Sequence, residues 1–297
     1  MWNSMKRKRS VWNRRARQCL FLILLALLAL LLMWPRTVHL EGLVSPYAIL
    51  VDADSGEAVA EKEADVSIYP ASITKVMTAL RALEANQNLE QPVTLPEDIF
   101  PELRAEGASM AGFRPGETAT VRDLLYGALL PSGAECCETL AREVSGSEEA
   151  FVASMNRKAA ALGMASTHFC NPTGLHDPEH VSTARDMAVL LRAAMQNEMF
   201  RTIFATARYT VPPTNLHPDG FTMESTFWSE LDGTELRRGK FLGGKTGYTS
   251  AAGLCLASAA EVKGKTYLMV TAGAQGNHNT EPYHVEDAVN VCRQLAR

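Results

Sequence analysis

The sequence predicts a mixed α/β (α+β) fold: one antiparallel sheet flanked by helices, with a helical subdomain inserted between its strands. Three observations carry this. β-like runs lie at both ends of the body of the chain, helical spacing of apolar residues dominates from Ser72 to about Thr206, and no internal repeat divides the sequence. At 297 residues and 46% hydrophobic content, the chain can bury a substantial core.

The first elements concern the membrane. Residues 1–18 form a basic segment expected on the cytoplasmic side, because Lys6, Arg7, Lys8, Arg9, Arg14, Arg15 and Arg17 stand there without an acid. Cys19 to Trp34 is an uninterrupted apolar run of 16 residues flanked by Arg17 and Arg36. At 1.5 Å per residue it spans about 24 Å, slightly less than a ~30 Å hydrocarbon core, and flanking arginines can snorkel. Trp34-Pro35-Arg36 follows where a cleavage site would need small residues, so a retained signal-anchor is expected, with a cleaved signal peptide and secretion as the alternative. Residues 35–45 are expected as a linker and 46–297 as the folded, exported domain. Residues 37–297 carry 21 basic against 33 acidic groups, which argues against a nucleic-acid partner.

Within the domain, Tyr47 to Asp52 reads as a strand, Asp54-Ser55-Gly56 as a turn and Glu57 to Glu63 as the return strand. A helix opens near Ser72, with Pro70 suited to its entrance and Ile73, Val76, Met77, Leu80 and Leu83 on its buried face. Thr120-Val121-Arg122-Asp123 has the pattern of a capping box, Glu148 to Leu162 stops at Gly163, and Thr183 to Asp186 opens a helix through Met195. Strands return at Phe241–Thr246, Gly253–Ala260 and Thr266–Ala272, with Lys263-Gly264-Lys265 turning the last pair, and Val285 to Leu295 closes as a helix. Of six cysteines, Cys19 lies in the apolar run and leaves an odd five; buried free thiols are expected, although a bridge from Cys136 or Cys137 to Cys170, Cys255 or Cys292 stays open.

The chemistry gathers in three places. Ser72 and Lys75 sit three residues apart, hence on one helical face, where Lys75 can take the Ser72 proton and free backbone N–H groups can meet an oxyanion. Ser132-Gly133 falls in a break between helices of the insert. Lys245-Thr246-Gly247 ends a strand, placing an ammonium and a hydroxyl towards a carboxylate while Gly247 lets substrate backbone approach. A cleft between sheet and insert is the expected position of the site.

Four segments, YPASITKVMTAL from Tyr69, GASMAGFRPGETATVRDLLYGALLPSG from Gly107, NPTGLHDPEHVSTARDMAVLLRA from Asn171 and GGKTGYTSAAG from Gly243, carry a resemblance over residues 45–297. The chain resembles the serine D-alanyl-D-alanine carboxypeptidases, the low-molecular-mass penicillin-binding proteins, with their DD-peptidase/β-lactamase fold. The resemblance implies that Ser72 attacks the carbonyl between two terminal D-alanines of a peptidoglycan stem peptide, Lys75 is the general base and Ser132 relays protons. It further implies that Lys245 and Thr246, with Gly247 and Thr249, hold the substrate, and that the N–H groups of Ser72 and Tyr248 form the oxyanion hole. β-Lactams are then covalent inhibitors, and neither a cofactor nor a metal is called for. As base, Lys75 must be neutral, which requires its pKa to fall from about 10.4 to near 7, helped by burial and by the charge of Lys245.

The chain departs from that family at Ala134, where the second motif is normally Ser-x-Asn. Glu135 follows and is read as a solvated or structural carboxylate, since beside Lys75 it would raise the lysine pKa. Gly273 to His284 contains no arginine to help bind the substrate carboxylate; His278 and His284 are its basic-capable side chains. The departures keep alternatives open: a weakened homologue acting as a stem-peptide sensor or scaffold, or a β-lactamase, although Thr167 to Ser182 lacks the matching glutamate-to-asparagine pattern. His168, His176, Asp177 and His180 could also suggest zinc, but they lie in a segment that matches a loop of the serine family.

Overall fold

Alternation along strand β1 (Tyr47–Asp52) sets the layering: Ile49 and Val51 enter one core, Ala48 and Leu50 the other. The computed structural model describes residues 38–297 except Gln87, Asp232, Thr234 and Glu235, together with Phe21. Apart from Phe21, the basic segment and the expected anchor lie outside the described residues. Among the described residues no helix is long and apolar enough to cross a membrane.

The sheet runs β2 (Ala58–Lys62), β1, β9 (Lys265–Ala274), β8 (Gly253–Val262), β7 (Gly239–Thr249), and each of these pairings is antiparallel. Both ends of the domain therefore meet in one sheet, as the sequence predicts. One face carries the helical region: α1 (Lys75–Ala85), α2 (Ile99–Ala105), α3 (Val121–Leu129), α4 (Ala134–Ser145), α5 (Glu148–Ala161), α6 (Ala184–Ala194) and α7 (Glu198–Phe204). The other face is covered by α8 (Thr226–Leu231) and α9 (Tyr283–Ala296), whose Phe227, Val285, Ala288 and Val291 pack on Leu50, Leu256 and Met269.

Local chemistry fixes the helix ends. Thr120 accepts from the Asp123 N–H at 3.1 Å and the Asp123 carboxylate accepts from the Thr120 N–H at 2.9 Å, the reciprocal box expected at the start of α3. Thr183 caps α6 through the Asp186 N–H at 3.0 Å, while the Asp186 carboxylate turns instead to Ser166 and Thr167. Gly163, at φ +79°, stands just past the end of α5.

The structure departs from the sequence reading in two ways. The helical middle is interrupted by the paired strands β3 (Pro92–Thr94) and β4 (Thr118–Thr120), and followed by the pair β5 (Arg208–Val211) and β6 (Phe221–Glu224). Three- and four-residue strands rich in exposed threonine offer too little alternation to register against helical neighbours. Residues 38–45, expected in the linker, belong to the folded unit: Leu40 and Leu43 are buried in the core beside α9, and the N–H groups of Val44 and Ser45 donate to the Asp287 carboxylate at 3.0 and 2.8 Å. Cys136, Cys137, Cys170, Cys255 and Cys292 are all free; burial pushes the Cys137, Cys255 and Cys292 thiols up to about 12.

Candidate active site

Ser72 lies in a single 3-10 turn, Ala71–Thr74, which runs directly into α1 at Lys75. The sequence places Ser72 in the first turn of the helix; in the structure a 3-10 turn precedes that helix, opened by Ala71 in a left-handed conformation, φ +48°. Left-handed backbone at a residue with a Cβ costs roughly 1–2 kcal/mol, strain stored beside the Ser72 hydroxyl. Lys75 Nζ sits 2.9 Å from Ser72 Oγ and donates to the Thr173 carbonyl at 2.6 Å. Only 2% of Lys75 is exposed. Burial pushes its ammonium below the ordinary lysine range, while Cys137, Glu135, Cys136 and Glu138 pull the other way. Burial wins.

The carbonyl that receives Lys75 belongs to a loop built for the purpose by Asn171. Its Oδ1 accepts from the Thr173 N–H at 3.2 Å, the Thr173 hydroxyl at 2.9 Å and the Gly174 N–H at 2.8 Å, a side-chain turn of the Asn-Pro-x-Gly type. The Thr78 hydroxyl donates to the Pro172 carbonyl at 2.6 Å, tying the loop to α1 a second time. Gly174 is at φ +78°, and a Cβ there would collide with the Ala71 carbonyl. Gly174→Ala should therefore destabilise the chain by at least the ~1–2 kcal/mol of the left-handed backbone and displace the loop. The thermal unfolding midpoint should fall, and an unchanged melting curve would contradict this role of the glycine.

Ser132 occupies the break before α4, left-handed at φ +68° and 5% exposed, and its Oγ has no hydrogen-bond partner among the described residues. The Gly133 N–H donates to the Gly127 carbonyl at 2.8 Å and the Ala134 N–H to the Ser109 carbonyl at 2.8 Å. Glu135 is not solvated: it is fully buried, and its Oε1 accepts from the N–H groups of Ala111 and Gly112 at 2.7 and 3.0 Å. It thereby fastens the segment at Ala111 and Gly112 to α4, while the Ala134 N–H holds Ser109. Burial raises its carboxyl to about 7, against the backbone N–H groups that favour the charged form.

The end of β7 closes the site from the sheet side. A Cβ added at Gly247 would lie 2.9 Å from the Ser72 nitrogen and 3.1 Å from that of Ile73, so glycine keeps the space before those N–H groups open. Lys245 is completely buried behind this edge, donating to the Thr246 carbonyl at 2.8 Å. Burial, then the charge of Lys75, push its pKa well down, so in this pair Lys75 acts on Lys245. Thr246 is 8% exposed and shares a hydrogen bond with Thr226.

These parts surround a cleft of about 520 Å³ lined by Ser72, Lys75, Ser109, Ala134, Thr173, His176, Tyr248, Thr249 and His278, among others. A larger one, about 730 Å³, lies beside α8 and α9 and holds none of the predicted site residues apart from sharing His278. Of the segment Lys245–Thr249, Tyr248 and Thr249 reach the reactive cleft. Sequence reasoning missed Asn171, Thr173, Gly174 and Ser109 as site-builders; the Asn-Pro-Thr-Gly turn signal marks three of them, whereas Ser109 works through its backbone and leaves no signal. His180, one of the four groups that suggested zinc, uses both ring nitrogens within the protein, to Thr74 Oγ1 at 2.9 Å and from the Cys170 N–H at 3.2 Å. Burial lowers its pKa to about 4, so it is a neutral structural histidine. His176 instead stands edge-on to Tyr69.

Comparison with known proteins bears on the family and the fold. The chain is 33% identical over 234 residues to the D-alanyl-D-alanine carboxypeptidase DacF of Bacillus subtilis, covering 76% of this chain and 57% of that one. It is 38% identical over 206 residues to DacB2 of Mycobacterium tuberculosis, covering 69% and 66%. The match thus spans somewhat under two thirds of these relatives. Among solved structures, the Streptomyces K15 DD-transpeptidase superposes with a TM-score of 0.76 at 28% identity, covering 85% of this chain and 97% of that one. A Mycobacterium tuberculosis D-alanyl-D-alanine carboxypeptidase gives 0.74 at 32%, covering 86% and 92%. Residues 36–276 match the model of the D-alanyl-D-alanine carboxypeptidase family, and the chain belongs to that family.

Proposed function

We propose that this chain is a serine D,D-carboxypeptidase that removes the terminal D-alanine from peptidoglycan stem peptides and is acylated by β-lactams. The observation that carries the reading is the buried Lys75 amine 2.9 Å from Ser72 Oγ at the foot of an open cleft. Ser72 Oγ attacks the carbonyl between the two D-alanines while its proton passes to Lys75. The N–H groups of Ser72 and Tyr248 take the oxyanion. As the C–N bond breaks, Ser132 passes a proton to the departing amine. Water then releases the shortened stem and returns Ser72 to its hydroxyl form. Thr249, with the backbone of Gly247 and Tyr248, receives the substrate's terminal carboxylate and backbone, while the buried Lys245 and Thr246 stand behind them in the strand.

Ala134 bears on the first step. Among the described residues Lys75 Nζ has two partners, Ser72 Oγ and the Thr173 carbonyl. A neutral amine can accept from the serine hydroxyl and donate to the carbonyl, which is the arrangement a base needs. Either protonation state leaves one N–H over, and an asparagine at 134 would offer it an acceptor, a contact that favours the ammonium more than the amine. Ala134→Asn is therefore expected to move the acidic limb of the acylation pH profile upward. A limb that stays or moves down would contradict this role.

The apolar run 19–34 and its basic flank support a further proposal, that the catalytic domain is held outside the cytoplasm by a single-pass anchor in the cell membrane. The function is tested by mixing the full-length chain with a diacetyl-lysyl-D-alanyl-D-alanine peptide and assaying free D-alanine, with and without a strong chelator. Release that survives the chelator is expected. No release by a folded chain that still binds the peptide would favour a sensor or scaffold, and rapid turnover of penicillin would favour a β-lactamase.

A further inference from the structure

A second cavity of about 270 Å³ opens beside the reactive cleft and shares Glu106, Thr173, Leu175 and His176 with it. Its remaining lining is strongly acidic: Asp98, Glu102, Glu138, Glu148 and Asp177, against Arg142. Arg142 is spent on Asp98, to which it donates at 2.8 and 3.0 Å. At the base lies Glu138, 7% exposed, whose carboxylate has neither hydrogen bond nor ion pair among the described residues. It stands one helical turn beyond Ala134 on α4, so the two share a face. Burial, then the charge of Glu148, raise the Glu138 carboxyl to about 8, and burial raises Glu148 as well. Near neutral pH such a carboxyl stays largely protonated in the free protein, and an incoming cation favours its ionised form.

The shape selects the cation. Among the described residues, no three of His, Cys, Asp and Glu are grouped closely enough to hold a metal ion. A cavity of this size, sharing four lining residues with the cleft, suits an alkyl ammonium arriving as part of the substrate. We propose that this side cavity is a specificity subsite that takes the free amino group of a diamino acid preceding the two D-alanines, with Glu138 as its charge partner. The proposal rests on the carboxypeptidase reading, since it assigns the neighbouring residue of the same substrate. It makes Glu138 a specificity residue with no part in bond breaking.

The test reads binding apart from turnover. Full-length Ser72→Ala is titrated calorimetrically with acetyl-lysyl-D-alanyl-D-alanine carrying a free side-chain amine, and with the diacetyl form. The free-amine peptide should bind about 10-fold or more tightly, the range of a charge-assisted contact, and adding Glu138→Gln should bring the two peptides together. Glu148→Gln, a rim change, should narrow the difference and serves as the second variant should Glu138→Gln fail to fold. Equal binding of both peptides by the parent, or a preference undiminished by either substitution, overturns the subsite. D-Alanine release by the unmutated chain is assayed separately, so a failed subsite and a failed carboxypeptidase reading give different results.

Discussion

Ser72→Ala should lower D-alanine release by about 10⁴-fold or more, the scale seen when a serine nucleophile is removed from a working constellation, while the chain stays folded. The structural loss is small. Among the described residues Ser72 Oγ hydrogen-bonds only with the Lys75 amine, a contact with a net value of about 1 kcal/mol, and Lys75 keeps its bond to Thr173. The 3-10 turn is held by its own backbone and by Gly174 and Gly247 packed against it. Circular dichroism and the thermal midpoint should therefore stay close to those of the parent, within a few degrees. Residual release within about 10-fold of the parent would mean that another group carries the acyl chemistry.

Lys75→Met should reduce acylation of Ser72 by about 10²- to 10⁴-fold, the usual contribution of a positioned general base. It also separates the two roles of burial. Because burial holds the Lys75 and Lys245 pKa values below 10.5, the folded chain binds fewer protons than the unfolded chain at alkaline pH. Stability contributed by these groups therefore rises with pH between the folded values and the unfolded value of about 10.4. In Lys75→Met that rise should shrink, and the acylation rate should lose its increase with pH through the folded Lys75 pKa. Stopped-flow acylation with a chromogenic β-lactam and urea unfolding between pH 6 and 10 measure both. An unaltered pH limb would assign the base to a different group.

Much of the fold was legible in the sequence because its signals are local. The capping pair at Thr120 and Asp123, the stop at Gly163 and the turn at Lys263-Gly264-Lys265 act within a few residues and emerge where they were read. The paired strands at 92–94 and 118–120 did not show, because each is stabilised by a partner about two dozen residues away and has almost no pattern of its own. Residues 38–45 looked like a tether for a similar reason: their hold is the Asp287 carboxylate, more than 240 residues on.

The site divides along the same line. Ser72 and Lys75 share a helical face, so spacing alone places them together, and the structure brings Ser72 and Lys75 to one cleft with Tyr248 and Thr249. The Thr173 carbonyl could not be read as a lysine acceptor, since a backbone oxygen carries no sequence mark and its position depends on the Asn171 turn. Nor could the role of Glu135 be settled, because whether a carboxylate after Ala134 faces water or the Ala111 and Gly112 amides is decided by packing. Lys245 was expected to push Lys75 towards neutrality by its charge. The deeper burial of Lys245 reverses the direction, leaving desolvation as the main cause at Lys75.

The account stands on one claim, that Ser72 is a nucleophile made reactive by a buried neutral Lys75. Intact-mass measurement of the full-length chain after incubation with benzylpenicillin, followed by proteolytic mapping, tests it directly. The expected result is a single added penicillin on the peptide containing Ser72, absent in Ser72→Ala and formed far more slowly in Lys75→Met. No adduct on the folded native chain, or an adduct on any other residue, would contradict it.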